Sequence, residues 1–127
     1  MKAPLISIVE DDRFFRDSMR RLMRSLGYVV EVFSSAAEFL ASPRLSETAC
    51  LIADVNMPAM TGLELFRHLT AMGHTIPTIL VTGFPNDLDR DRALDDGVIC
   101  YLSKPIDEQN LTKCLGEVLA SDSNKTS

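Results

Sequence analysis

Short apolar runs alternate with amphipathic stretches five times along this chain, which constrains its fold more than any other feature. The runs cover residues 5–9, 28–33, 49–54, 78–82 and 98–102. Continuous apolar runs of this length are typical of strands that are buried on both faces, as in a parallel sheet. Strands that alternate with helices join through right-handed crossovers. The sequence therefore predicts a five-stranded parallel sheet inside a three-layer α/β/α sandwich.

The stretches between the runs carry helix signals. After Asp12 the apolar residues recur at helical spacing, and Gly27 follows as a stop signal. Residues 35–38 and 61–64 both have the capping-box pattern, a hydroxyl residue followed three positions later by glutamate. Residues 86–95 have few apolar members, so they predict a helix with few core contacts.

Length and composition predict one domain over residues 1–120, with a small polar segment, residues 121–127, as a flexible tail. The net charge of −5 disfavours direct binding of nucleic acid or an anionic membrane. No apolar run approaches membrane-spanning length, and the three cysteines lack metal-site or disulfide spacing. We therefore expect a cytoplasmic protein with reduced thiols.

Polar side chains end four of the predicted strands. Glu10 and Asp11 follow the first strand and Asp54 ends the third, while Thr82 and Lys104 end the fourth and fifth. The carboxyl ends of parallel strands form one edge, where open α/β sheets bind ligands. Clustered carboxylates repel unless a cation lies among them, and oxygen ligands select a hard cation such as Mg²⁺. A cation, an ammonium and a hydroxyl around Asp54 suit phosphoryl transfer to that carboxylate.

Five short motifs occur in order along the chain: Glu10-Asp11, Asp54-x-x-Met-Pro58, Thr82-Gly83, Tyr101 and Lys104-Pro105. Together they closely resemble the receiver domain of two-component response regulators, and the resemblance covers residues 4 to about 120. It implies a doubly wound, flavodoxin-like sheet with strand order 2-1-3-4-5. It also implies Mg²⁺ as cofactor and a histidine kinase or histidine phosphotransfer protein as partner.

The resemblance assigns roles to the residues that match. Asp54 corresponds to the phospho-accepting aspartate and, with Asp11, to a direct metal ligand. Glu10 corresponds to an acid that acts on the metal through water, and Asn56 to the residue whose backbone carbonyl joins the metal.

Three further positions match residues that respond to phosphorylation. Thr82 and Lys104 correspond to the pair that contacts the phosphoryl group. Tyr101 corresponds to a ring that turns inward when the threonine is drawn to the phosphate. The Lys104-Pro105 peptide is expected to be cis, as it is in the family, and this isomer is accessible mainly before proline.

Two phenylalanines have open interpretations. Phe14 falls off the core stripe of its helix, so it is either partly buried against a neighbouring loop or part of a docking site for the phosphodonor protein. Phe84, two residues past Thr82, either slows hydrolysis by excluding water or simply covers the pocket.

The function that the resemblance implies is a phosphorylation switch rather than an enzyme, acting through the surface of the fourth and fifth strands. The alternative is a receiver-like interaction module that works without phosphorylation. A flavin-binding protein is disfavoured, because the loop after the first strand is acidic and lacks glycine. The sequence leaves the output domain or target unknown, and homodimerisation on activation is a further hypothesis.

Overall fold

Five strands and five helices alternate in a computed structural model, which describes residues 3–125, with side chains to residue 119. The strands are β1 (Leu5–Val9), β2 (Val29–Phe33), β3 (Thr48–Asp54), β4 (Thr78–Thr82) and β5 (Cys100–Ser103). The helices are α1 (Arg13–Ser25), α2 (Ala36–Leu40), α3 (Gly62–Ala71), α4 (Asp87–Asp96) and α5 (Glu108–Lys125), and a short 3₁₀ helix (Leu45–Glu47) precedes β3.

All neighbouring strands pair in parallel, in the order β2-β1-β3-β4-β5, which confirms the predicted topology. The chain order reverses between β1 and β3, and open α/β sheets bind ligands at the carboxyl ends of such a pair. Val9 of β1 is level with Ala53 of β3. The next residues along each strand, Glu10 and Asp54, therefore lie side by side at this edge.

The sheet is covered on both faces, so the protein has two hydrophobic layers. Leu51 packs in the layer beneath α2, α3 and α4, and the next residue, Ile52, packs in the layer beneath α1 and α5. Successive strand residues point to opposite faces. Because both faces are buried, the strands appear in the sequence as continuous apolar runs rather than alternating ones.

The helix starts follow their capping signals with one variation. At α3 both capping-box bonds are present between Thr61 and Glu64. At α2 the Ser35 hydroxyl accepts the Glu38 backbone N–H, but the Glu38 carboxylate bonds Ser34 instead of the cap residue. The capping box predicted at residues 35–38 is therefore only half formed, because the glutamate bonds the residue before the cap.

Two element boundaries differ from the prediction by more than one residue. β5 begins at Cys100, because Gly97 ends α4 with a left-handed φ of 111° and the Val98 backbone N–H closes the last turn by donating to Ala93. α5 continues to Lys125, so residues 121–125 are helical although the sequence assigned them to the tail. The last two residues of that tail lie outside the described residues, and its flexibility stays a prediction. Among residues 3–125, no helix has the length and hydrophobicity required to cross a bilayer.

Candidate phosphoacceptor and metal site

The three predicted acids meet at the edge of the sheet. Glu10, Asp11 and Asp54 each place a carboxylate oxygen within 4.8 Å of the others. Glu10 and Asp54 are only 1% and 5% exposed, whereas Asp11 faces solvent. Asp12 has a structural role instead, because its side chain accepts backbone N–H groups at the start of α1 and caps that helix. The result is a cleft with two buried acids at its floor and one acid open to water.

Lys104 reaches into the cleft from the loop after β5. Its Nζ atom lies 2.7 Å from Glu10 Oε1 and 3.7 Å from Asp54 Oδ2. The same ammonium lies 4.2 Å from the centre of the Phe15 ring, a cation–π contact that the sequence did not predict. The Lys104-Pro105 peptide is cis, as expected. Three contacts therefore fix the ammonium above the acids.

The charges in the cleft do not balance. Burial raises the pKa of Glu10 to about 7, against the opposing effect of its hydrogen bond from Lys104. Burial would lower the pKa of Lys104, but its hydrogen bond and charge interaction with Glu10 outweigh this and raise that pKa. One ammonium thus serves two buried carboxylates, with a third acid nearby. This arrangement favours the entry of a cation.

The donor atoms fit a hard cation. The three clustered side chains offer carboxylate oxygens only, and such ligands suit Mg²⁺, which also keeps several waters. The exposure of Asp11 leaves one side of the cluster open to those waters. The acidic cluster can therefore hold a metal ion. The part assigned to the Asn56 carbonyl stays a prediction.

Asn56 connects the acids to Thr82. Its backbone N–H donates to Asp54 Oδ1 at 3.2 Å, and its side-chain Nδ2 donates to Thr82 Oγ1 at 2.9 Å. The same threonine oxygen accepts the backbone N–H of Phe84 at 3.0 Å. The sequence assigned only a backbone role to Asn56. An amide side chain two residues past the strand-end acid was the one available signal for the second role.

Tyr101 lies beside a cavity of about 220 Å³ under α4. Asn56, Leu80, Asp89 and Ala93 are among the residues that line it. The Tyr101 hydroxyl is buried, which raises the pKa of Tyr101, and the Asn86 backbone and the Thr82 side chain lie close enough to oppose that rise. The ring is half-buried and packs against the layer beneath α2, α3 and α4. The structure thus places Tyr101 and Asn56 at the same cavity, and the role of Tyr101 as a switch stays a prediction.

Two exposed aromatic rings lie close in sequence to site residues, Phe14 in the first turn of α1 and Phe84 in the loop after β4. Phe14 is 83% exposed, so its interpretation as partly buried against a loop is wrong, and the docking hypothesis remains. Phe84 is 80% exposed, although its backbone N–H is engaged with Thr82. The Phe84 ring therefore makes few contacts with the pocket, and any effect on hydrolysis stays a prediction.

Gly62 is a site residue that the sequence did not identify. A Cβ atom at this position would lie 2.5 Å from the Asp54 carbonyl oxygen and 2.9 Å from Leu80 Cδ2. The Gly62 backbone N–H also donates to Val55 at 3.2 Å. The first turn of α3 thus packs directly on the backbone of the candidate phosphoacceptor. A glycine straight after the capping residue Thr61 was the only signal in the sequence.

Comparison with known proteins identifies the family. The family model of the response regulator receiver domain matches residues 6–116. Response regulator protein TodT of Pseudomonas putida is 37% identical over 120 residues, which cover 94% of this chain and 52% of TodT. The transcriptional regulatory protein FixJ of Bradyrhizobium diazoefficiens is 34% identical over 108 residues, covering 84% of this chain and 52% of FixJ.

Solved structures agree with this result. The response regulator StyR has a TM-score of 0.87 at 35% identity, covering 98% of this chain and 63% of StyR. The structure named FixJ-N has a TM-score of 0.82 at 28% identity, covering 93% and 94% of the two chains. The chain spans about half the length of the curated relatives described above. It belongs to the family of response regulator receiver domains.

Proposed function

We propose that this domain is a phosphorylation switch that accepts a phosphoryl group on Asp54 from a histidine kinase or a histidine phosphotransfer protein, with Mg²⁺ as cofactor. The observation that carries the proposal is the position of Asp54, nearly buried, grouped with two other acids and 3.7 Å from the Lys104 ammonium. A nucleophilic carboxylate needs this combination of a metal site and a fixed positive charge to approach a phosphoryl group.

Each side chain of the cleft has a role in the transfer. A carboxylate oxygen of Asp54 forms the new bond to phosphorus while the bond from phosphorus to the donor's nitrogen breaks. Lys104 pairs with a phosphoryl oxygen, and the Thr82 hydroxyl donates a hydrogen bond to another. Glu10, Asp11, Asp54 and the Asn56 carbonyl would hold the Mg²⁺ ion. When bound, it supplies positive charge that neutralises the phosphoryl oxygens.

Phosphorylation is then converted into a change of the surface formed by β4 and β5. Thr82 and Tyr101 carry the change, since one contacts the phosphoryl group and the other lies against the cavity beside it. α4 contributes only Ala93 as a fully buried residue, so little packing opposes its movement. Phosphorylation shifts a pre-existing equilibrium by the difference in its interaction with the two states.

The partners follow from this role. Phe14 contributes to docking of the histidine phosphodonor, because its exposed ring lies at the start of α1 beside the acidic cleft. The domain acts as a switch with self-phosphorylation and autodephosphorylation chemistry rather than as an enzyme on a separate substrate, and it works in the cytoplasm without binding nucleic acid or membrane itself. Homodimerisation through α5 and β5 accompanies activation. A Mg²⁺-dependent phosphoryl adduct that disappears in Asp54→Asn tests the proposal.

A further inference from the structure

We propose that the side-chain amide of Asn56 is a positioning group that orients the Thr82 hydroxyl as a hydrogen-bond donor for the phosphoryl group on Asp54. The inference rests on the proposed function and adds to it. The family resemblance gave Asn56 only a backbone carbonyl for the metal, whereas the geometry assigns a separate task to its side chain.

The hydrogen bonds around Thr82 limit what its hydroxyl can do. A hydroxyl oxygen has two acceptor positions and one proton. Both acceptor positions are filled by N–H groups, from Asn56 Nδ2 at 2.9 Å and from the Phe84 backbone at 3.0 Å. A third partner can therefore interact with Thr82 only by accepting its proton. Phosphoryl oxygens are strong acceptors of this kind.

Burial makes this orientation effective. Thr82 is fully buried at the end of β4, so solvent does not compete for its hydroxyl. Without the Asn56 amide one acceptor position would become free, and the hydroxyl could rotate to direct its proton elsewhere. The Phe84 backbone bond alone fixes only one of the two positions.

Asn56 is well placed to align Thr82 with the nucleophile. Its backbone N–H donates to Asp54 Oδ1 at 3.2 Å while its side chain donates to Thr82. Asn56 thus contacts both the Asp54 carboxylate, which accepts the phosphoryl group, and the Thr82 hydroxyl, which donates to that group. Replacing the side chain leaves the backbone contact to Asp54 in place, so the two contacts can be separated by mutation.

The test is a double-mutant cycle with Asn56→Ala, Thr82→Val and the combined variant. The rate of adduct formation with acetyl phosphate is measured by intact-protein mass at saturating Mg²⁺. We expect Asn56→Ala to slow the reaction about three- to tenfold, the effect of losing one hydrogen bond, and to have no further effect in the Thr82→Val background. Asn110→Ala, an exposed asparagine on α5, is the matched control and leaves the rate unchanged.

Mg²⁺ affinity and thermal unfolding provide readouts that do not depend on phosphorylation. Mg²⁺ titration of Asn56→Ala, followed by NMR chemical shifts, should give the dissociation constant of the wild type, since the backbone carbonyl is retained. The Thr82 methyl shift should change in Asn56→Ala even without phosphate, because the hydroxyl loses its restraint. Asn56→Ser replaces the alanine variant if thermal unfolding shows that Asn56→Ala has lost its fold.

Several results would overturn the inference. Equal slowing by Asn56→Ala in the presence and absence of the Thr82 hydroxyl would show that the amide acts elsewhere, and weakened Mg²⁺ binding would show that it acts on the metal. Faster phosphorylation would show that the amide restrains Thr82 instead of preparing it. If the wild type and Asn56→Ala form the adduct at the same rate, this inference alone is wrong. The absence of any wild-type adduct removes the proposed function, and this inference with it.

Discussion

The Lys104 ammonium is closer to Glu10 than to Asp54, at 2.7 Å against 3.7 Å. These partners, Lys104 and Glu10, are 94 positions apart in the chain. The ion pair therefore connects the ends of β1 and β5 across the intervening β3 and β4. Because Lys104 already has a partner, a second positive charge near Glu10 would favour its transfer to a phosphoryl oxygen. In the proposed mechanism a bound cation would supply that charge, so metal binding would favour the release of Lys104.

The raised pKa of Glu10 predicts how stability depends on pH when Mg²⁺ is removed with EDTA. The folded protein binds a proton at Glu10 up to about pH 7, whereas the unfolded chain releases it near pH 4.5. Since the native state binds more protons in this window, the free energy of unfolding falls as pH rises from 4.5 to about 7.

The measurement is urea denaturation of the wild type and Glu10→Gln across that pH range. We expect the wild type to lose stability relative to Glu10→Gln as pH rises, by a total on the order of 1–3 kcal/mol. A difference between the two proteins that does not change with pH would contradict the electrostatic account of the cleft.

Metal binding should stabilise the fold. A ligand that binds only the native state raises the unfolding temperature by mass action, so adding excess Mg²⁺ should raise that of the wild type. Asp11→Asn should reduce the increase strongly, because it removes a charged oxygen ligand. Asp87→Asn, at an exposed acid at the start of α4, is the control and should keep the full increase. An undiminished increase in Asp11→Asn would place the metal elsewhere.

Gly62→Ala should destabilise the protein, although alanine is the better helix former. The added Cβ would lie 2.5 Å from the Asp54 carbonyl oxygen, so the start of α3 or the end of β3 must shift. We expect a net loss of about 1–3 kcal/mol in urea denaturation. The rate of Asp54 phosphorylation should fall as well, because the nucleophile is displaced.

Gly116→Ala is a matched control for this change. Gly116 lies within α5, and a Cβ atom there would have no neighbour within 4 Å. It should stabilise the protein by about 0.5–1 kcal/mol through helix propensity alone. If Gly62→Ala were also stabilising, the close packing of α3 on Asp54 would be wrong.

Phe14→Ala should separate docking from chemistry. With 83% of its surface exposed, Phe14 contributes little to the core, so stability should not change. Phosphotransfer from the histidine donor protein should slow, while phosphorylation by acetyl phosphate should proceed as in the wild type. Equal slowing of both reactions would show that Phe14 supports the cleft instead of the partner.

The alternating pattern predicted the parallel sheet, the family resemblance implied its strand order, and the grouping of the acids follows from the two together. Parallel strands end at one edge, so Glu10 and Asp54 had to meet once the β1–β3 neighbourhood was assigned. The predicted start of β5 at Val98 was wrong. Val98 is a buried β-branched residue, as is typical of a strand, but its backbone completes the last turn of α4.

Contacts that depend on side-chain conformation could not be predicted from the sequence. The preference of Lys104 for Glu10 and its stacking on Phe15 depend on distances that packing sets after the fold has formed. The same holds for the Asn56 amide, whose bond to Thr82 joins two strand ends. Sequence patterns place such residues at one edge of the sheet but do not specify which atoms pair.

The most direct test of the central claim is the intact mass of the protein after incubation with acetyl phosphate, with and without Mg²⁺, for the wild type and Asp54→Asn. The proposed switch predicts a single phosphoryl adduct that requires Mg²⁺ and is absent in the variant. A folded wild type that binds Mg²⁺ and forms no adduct would contradict it and favour an interaction module that works without phosphorylation.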